Sequence, residues 1–383
     1  MIARNSSTAT EHVAGMSTFN LQEELLSLSS DPSLYHISSE LDPSELSERA
    51  LDAHLSSAIE SVINDPEAFI HSTGITFDVF RSILKHADSP SVGPAILSKT
   101  LDVITTGITN HVSVVLEMTR PDRQQDADGP LIHKAPLEMW AFLLQWFVSI
   151  AERGVGKSDE APKAPKGKGK KKTTASNAAV ASFDWSAVLA DHVLVTMHRA
   201  LRLPTSRIWR TTSEREAFVG CFVKPAWQLC ESETHLKNNE IKLGIFKTIC
   251  LAVKHHAHAF GAQTSIQQNL TYFEHLSEPM AELLAILDKE FDYAQLAEEV
   301  LRDVAGKSFA AGDAKGPRSF SRFLIRLAEL SPRIVQKQMP LLLAHLDTEV
   351  SLQIAQHELL DELYCAHDRR IQCAWLLSRS SAS

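Results

Sequence analysis

Residues 151–158 (AERGVGKS) have the types and spacing of a phosphate-binding loop, with alanine in place of the first glycine. Lys157 and Ser158 would be the working residues of a nucleotide hydrolase. Such a loop lies between a strand and a helix, whose N-terminal N–H groups cradle the phosphates. Here an apolar helix is predicted before the segment and a Lys/Pro/Gly-rich coil after it. These surroundings disfavour nucleotide hydrolysis, which stays the third interpretation.

Three histidines, His255, His256 and His258, form a second candidate cluster, since two of them lie one helical turn apart. No cysteine or carboxylate nearby in the sequence completes a metal-ligand set, so the cluster is more typical of a polar helix end. Patterns of serine hydrolases, zinc proteases and calcium loops do not occur. We therefore predict no catalytic residue, no cofactor and no metal.

Basic residues offer the remaining chemistry. The segment 157–172 carries seven lysines against two acidic residues, in a chain of net charge -9. It contains no interleaved aromatic residue, so a contact with DNA would go to phosphates without sequence readout. A nuclear import signal and a solvated linker are the alternatives. The candidate contacts are Lys163, Lys166, Lys168, Lys170, Lys171 and Lys172.

A second basic group lies on a predicted helix. Arg318, Arg322 and Arg326 are spaced four apart, so they share one face. We call them the arginine ridge. It is typical of a solvated face, and contact with DNA or an acidic partner is the functional alternative.

The helix with the arginine ridge belongs to a helical hairpin, Gly316–Asp347. Its opposite face is apolar, and Ser331-Pro332 predicts the joint, with serine as the N-cap and proline in the first turn of the second helix. Neither helix can cover its apolar face alone. The hairpin therefore predicts neighbours on both sides, as in an α-solenoid. The apolar residues are Phe320, Phe323, Leu324, Leu327 and Leu330 in the first helix and Ile334, Val335, Met339, Leu342, Leu343 and Leu346 in the second.

The composition predicts an all-α protein. Hydrophobic residues make up 44% of the chain, and glycine and proline number only 15 and 16. The apolar window Leu137–Ile150 is shorter than the roughly 20 residues of a membrane span, so we expect a buried core helix and no membrane contact. The five cysteines form no CxxC pair, which predicts free thiols. Periodicity predicts helices over 77–86, 94–116, 136–152, 185–203, 212–230, 239–260, 266–287 and 293–304.

Composition also predicts the domain organisation. The Lys-rich segment has no large apolar residue and cannot bury enough surface to fold. We expect a disordered leader (1–18), an N-terminal helical domain (19–152), a disordered Lys-rich linker (153–182), a HEAT/armadillo-like array (183–349) and a divergent C-terminal tail (350–383).

Two segments resemble a known family: 321–347 (SRFLIRLAELSPRIVQKQMPLLLAHLD) and 19–37 (FNLQEELLSLSSDPSLYHI). Both are similar to the N-terminal region of the condensin subunit 1 family, the non-SMC HEAT-repeat subunits of mitotic condensin. The resemblance implies a non-enzymatic scaffold that binds the kleisin and SMC ATPase subunits and helps hold DNA, without a cofactor or small-molecule substrate. It also implies a location in the nucleus and on chromosomes, with a cytoplasmic pool.

An unrelated HEAT or armadillo adaptor, for instance a transport or phosphatase scaffold, is the alternative to the condensin interpretation. The resemblance ends near Glu349, where family members continue into further HEAT repeats. Val350 is followed by Ser351 instead of the expected arginine, and Ala355 stands one place late. We expect the residues after this point to come from an altered reading frame or a retained intron.

Overall fold

The computed structural model describes residues 19–30, 35–37, 42–64, 75–89, 91–122, 129–159, 185–256, 261–306 and 315–346. Within these ranges the ordered elements are all helical and no strand occurs. The predicted all-α class is confirmed. Contacts group the chain into two compact units, Met1–Pro225 and Ala226–Ser383, and the boundary lies within one helix.

The first unit is a bundle of helices numbered here from the N-terminus. Short 3₁₀ turns occupy Pro43–Glu45, Gly129–His133 and Thr205–Arg207, and a π-helical segment covers Leu189–Leu194. The α-helices are α1 (Leu21–Ser30), α2 (Glu48–Asn64), α3 (Ile75–Lys85), α4 (Pro94–Met118), α5 (Lys134–Asp159), α6 (Trp185–Val188), α7 (Val195–Ala200) and α8 (Thr212–Glu231), which continues into the second unit.

Helix α5 forms the centre of this unit because its residues 137–148 are apolar on nearly every side. It packs against α1, α3 and α4. Trp140 and Phe142 are fully buried, and the rings of Phe142 and Trp146 meet edge to face at 5.7 Å. The buried core helix predicted over 137–150 is confirmed. Among the described residues, no helix is long and apolar enough to cross a membrane.

A buried polar cluster ties α1 and α3 together through Tyr35. The Arg81 guanidinium pairs with Asp78, donates to the Tyr35 hydroxyl at 2.8 Å and lies 3.5 Å from a Glu24 oxygen. The Tyr35 hydroxyl in turn donates to Glu24. Burial, together with that hydrogen bond, raises the pKa of Tyr35. Buried charges are tolerated only when paired, and each charge here has its partner.

The second unit contains the helices α9 (Glu233–Lys237), α10 (Asn239–His255), α11 (Ala262–Tyr272), α12 (Ser277–Phe291), α13 (Gln295–Ala305), α14 (Lys315–Leu330) and α15 (Pro332–Leu346). Helices α10, α12 and α14 pack side by side in one layer. Helices α11, α13 and α15 form a second layer. Each helix therefore contacts the helix two positions along the chain, which is the HEAT-like arrangement that the hairpin predicts.

The hairpin folds as its sequence predicts. Phe320, Phe323, Leu324 and Leu327 are buried, and Ser331 separates α14 from α15 with Pro332 in the first position of α15. The predicted capping role of the serine side chain is wrong. The Ser331 hydroxyl is buried and has no hydrogen-bond partner among the described residues, so the proline alone defines the start of α15.

Four helix boundaries differ from the prediction. The helix predicted over 266–287 is two helices, because Pro279 has no N–H and its ring would clash with the carbonyl four residues earlier. Helix α12 therefore starts at Ser277, which places Pro279 in its first turn. The helix predicted over 136–152 continues to Asp159, since no proline interrupts it before Pro162.

The π-helical segment Leu189–Leu194 divides the helix predicted over 185–203. The helix predicted over 239–260 ends at His255, because His256 leaves the helical region with φ -123° and ψ 70°. The predicted leader, most of the predicted linker and the predicted tail lie outside the described residues, so their disorder and the frame change stay predictions.

Candidate interaction surface of the helical array

The arginine ridge lies on α14 at the edge of its buried apolar face. Sequence periodicity places its side chains in solvent, but the fold brings acidic residues of α12 and of the turn before α12 to meet them. Arg318 and Arg322 are half-exposed, whereas the side chain of Arg326 is 35% exposed. The three arginines therefore have different surroundings despite their regular spacing.

Arg326 is held by two carboxylates. It donates to Glu282 of α12 at 3.0 Å and to Glu329 of its own helix at 2.7 Å. Lys242 of α10 donates to the other oxygen of Glu282 at 2.8 Å. Hydrogen bonds to Glu329 and Glu282 raise the pKa of Arg326. A line of alternating charges, Lys242–Glu282–Arg326–Glu329, thus crosses the layer from α10 to α14, and we call it the charge ladder.

Burial alone would raise the pKa of Glu282, but hydrogen bonds from Lys242 and Arg326 lower it below its ordinary value. Glu282 therefore stays ionised and binds both cations. This arrangement favours a structural role for Arg326.

Arg318 and Arg322 share a single carboxylate. One oxygen of Glu274, in the 3₁₀ turn Glu274–Leu276 before α12, lies 3.0 Å from Arg322 and 3.9 Å from Arg318. Each guanidinium has five N–H donors, so one carboxylate leaves most of them unused. The pair of arginines keeps a surplus of one positive charge. It is the part of the arginine ridge that is available to an external anion.

Two aromatic residues precede Glu274. Tyr272, the last residue of α11, is 76% exposed, and Phe273 is 38% exposed. The Phe273 ring meets His275 edge to face at 5.9 Å. Since two residues span at most about 7 Å between Cα atoms, the backbone of Tyr272 lies close to that of Glu274. Aromatic and basic groups therefore occupy one region of the second unit.

Other predicted sites are placed as follows. The six candidate lysines and His258 lie outside the described residues.

Residues 151–158 continue helix α5, so the phosphate-loop hypothesis lacks the strand–loop–helix geometry that it needs. Within the described ranges, no group of three or more His, Cys, Asp or Glu residues is positioned to hold a metal ion. The described cysteines, Cys221, Cys230 and Cys250, are buried and free, in agreement with the predicted thiols.

Sequence reasoning missed one titratable pair. His111 of α4 and His133 of the following 3₁₀ turn place their Nδ1 atoms 2.8 Å apart, so one ring donates to the other. Burial, and then the proximity of His133, lower the pKa of His111 to about 4. Burial also lowers the pKa of His133. The two histidines are 22 positions apart, and the sequence between them contains no pattern that would have indicated the contact.

Comparison with known proteins assigns the family. Residues 94–262 match the family model described as non-SMC mitotic condensation complex subunit 1, N-term. Condensin complex subunit 1 of Schizosaccharomyces pombe is 30% identical over 298 residues, which cover 76% of this chain and 25% of the relative.

The chain belongs to the condensin subunit 1 family.

Relatives from other organisms support the same family assignment. Condensin complex subunit 1 of Saccharomyces cerevisiae is 38% identical over 157 residues, 41% of this chain and 13% of the relative. The human protein of the same name is 26% identical over 277 residues, 71% of this chain and 19% of the relative. The chain thus spans about a quarter or less of the length of these relatives. The resemblance inferred from the hairpin is confirmed.

The condensin family model covers both compact units in part. Its match begins at the first residue of α4 and ends at the first residue of α11. The arginine ridge and Tyr272 lie C-terminal to that match. Their role is therefore argued from their geometry.

Proposed function

We propose that this chain acts as a non-enzymatic scaffold of the condensin complex in mitotic chromosome condensation. The observation that carries the proposal is the two-layer helical array of the second unit, in a chain of the condensin subunit 1 family. Stacked helix pairs present extended surfaces that suit binding of long partner segments. The partners proposed from the family are the kleisin subunit and the SMC ATPase subunits, in the nucleus and on chromosomes with a cytoplasmic pool.

Complex formation with kleisin tests this function. The full chain is mixed with the kleisin of the same organism and the mixture is resolved by size-exclusion chromatography. We expect the two proteins to elute together, because the array offers a continuous surface. An unrelated HEAT-repeat adaptor of similar net charge serves as the control for non-specific association. Separate elution of chain and kleisin, under conditions in which the longer condensin relatives bind it, would contradict the proposal.

We also propose that DNA is contacted through phosphates, without sequence readout, by the six lysines between Lys163 and Lys172. Their charge supports this proposal, since clustered lysines release counterions from nucleic acid when they bind it. Arg318 and Arg322 are the remaining candidates of the arginine ridge for DNA or an acidic partner. Arg326 is the weakest candidate, because its two carboxylates already neutralise it.

A further inference from the structure

We infer that Arg318, Arg322, Tyr272 and Phe273 form a docking surface for a short acidic segment of a partner protein. We call these four residues the arginine–tyrosine surface. The inference names the partner class for part of the candidate site and rests on the scaffold function proposed above.

Charge is the first argument. The two guanidiniums converge on the same oxygen of Glu274, at 3.0 and 3.9 Å, so they already form a site for one carboxylate. Both side chains are more than half exposed, at 59% and 52%, and their unused donors are accessible. An aspartate, glutamate or phosphorylated side chain of a partner presents the matching acceptors.

The exposed aromatic residues are the second argument. Tyr272 is the most exposed of the large hydrophobic side chains in the described part of the chain, at 76%. Tyrosine and arginine are the residues enriched at the energetic centres of protein interfaces. A partner segment with an apolar residue beside its acidic ones would cover Tyr272 and Phe273 while its carboxylates meet the arginines.

The surrounding carboxylates favour a short acidic peptide over nucleic acid. Three other basic groups of this layer are already paired: Lys242 and Arg326 with Glu282, and Lys247 with Glu290 at 3.2 Å. Lys289 is exposed, but it lies in the last turn of α12, at the opposite end of that helix from Glu274. A nucleic acid needs a track of several uncompensated cations, which these ion pairs do not supply. Two neighbouring arginines suit one or two acidic side chains.

Binding of a labelled peptide tests the inference. The probe has three consecutive glutamates between two leucines, and its affinity for the full chain is measured by fluorescence anisotropy. Replacing both arginines, Arg318→Gln with Arg322→Gln, should weaken binding about tenfold or more, because the charge-assisted hydrogen bonds are removed. Arg333→Gln is the matched control, since it removes an exposed arginine from the other layer and should change the affinity less than about twofold.

Glu274→Gln gives the decisive readout, because it removes the internal competitor for the arginines. We expect this variant to bind the peptide several-fold more tightly than the unchanged chain. If Glu274 and the arginines served only to stabilise the fold, the substitution would leave peptide binding unchanged or weaken it. Tyr272→Ser should weaken binding about threefold or more, because the aromatic ring no longer covers the apolar residue of the peptide. Thermal unfolding of every variant is recorded to confirm that it folds.

Three results would overturn the inference: equal binding of a peptide with glutamine in place of glutamate, unchanged affinity of the double arginine variant, or tighter, arginine-dependent binding of a single-stranded oligonucleotide of the same net charge. The outcome is separable from that of the kleisin experiment. If the chain binds the acidic peptide through its arginines but elutes apart from kleisin, the docking surface is supported and the proposed scaffold function is contradicted. If the chain binds kleisin but not the peptide, the scaffold function is supported and the docking surface is contradicted.

Discussion

The close approach of α4 and α5 in the first unit depends on Gly107, which has no side chain. A Cβ atom on Gly107 of α4 would lie 2.5 Å from a ring carbon of Trp140 on α5. The indole is fully buried and cannot move aside without displacing its neighbours.

We predict that Gly107→Ala destabilises the protein by about 1–3 kcal/mol, despite the better helix propensity of alanine. The free energy of unfolding is measured by chemical denaturation with tryptophan fluorescence. Gly306→Ala is the matched control: its Cβ would meet only backbone oxygens at 3.7 Å, so we expect a change within about 0.5 kcal/mol. Equal stability of the Gly107 variant and the unchanged chain would show that the helices can separate at little cost.

The His111–His133 pair gives a pH dependence at the same scale. Because the folded-state pKa of His111 is lowered to about 4, the unfolded chain binds more protons between about pH 6.5 and 4. The contribution of the histidine pair to the free energy of unfolding is complete above the pKa that His111 has in the unfolded chain. This contribution is lost as the pH falls from about 6.5 to about 4.

We therefore predict that the stability difference between the unchanged chain and His111→Gln shrinks as the pH is lowered from 7 toward about 4.5. Denaturation curves across that range measure the difference. His54→Gln, at an exposed position on α2, serves as the control for the removal of a surface histidine. A difference that stays constant with pH would mean that His111 titrates alike in the folded and unfolded chain.

At the scale of helices, the charge ladder joins α10, α12 and α14. Arg326 bridges Glu282 and Glu329, whereas Lys337 of α15 makes a single ion pair with Glu298 at 2.6 Å and its side chain is 65% exposed. We predict that Arg326→Gln lowers stability by about 1 kcal/mol and Lys337→Gln by less than about 0.5 kcal/mol. Denaturation at low and high salt measures both. Because salt screens exposed charges, the difference between the stability losses of the two variants should become smaller at high salt. Equal losses at low salt would mean that the charge ladder does not stabilise the fold.

The helices show which structural features can be predicted from the sequence alone. Periodicity identifies the apolar face of α14, and Pro332 identifies the start of α15, because both are local signals. The break before α12 is also local, since a proline such as Pro279 disfavours a helix interior, but the apolar spacing across residues 266–287 hides it. The partners of the arginine ridge are not predictable in this way. Glu274 lies 48 residues before Arg322 and Glu282 lies 44 residues before Arg326, and only the packing of α14 on α12 brings them together.

For the molecule as a whole, the distribution of charge supports the proposed assignment of the DNA contact to one segment. The chain has a net charge of -9 although the segment 157–172 carries seven lysines, so the remainder is strongly acidic. Non-specific DNA binding should therefore depend on that segment.

We predict that serine at Lys163, Lys166, Lys168, Lys170, Lys171 and Lys172 flattens the dependence of DNA affinity on salt, by up to about 0.9 in logarithmic slope for each phosphate that is no longer neutralised. The affinity for a duplex is measured at several salt concentrations. A chain with Lys224→Ser and Lys289→Ser, two exposed lysines on helices, should keep the original slope. An identical slope for the six-lysine variant would assign the DNA contact to another surface.

The two-layer packing of the second unit also bears on how the chain is made. Among the described residues, the ion pairs that join different elements of this unit link positions 39 to 48 apart, from Lys337–Glu298 to Arg322–Glu274. Contacts of such short range need little loop closure, and a repeat array can grow from any folded pair of helices. During synthesis, α10 and α12 can therefore pack together before α14 has left the ribosome. Each new helix then packs against a helix of its layer that has already folded.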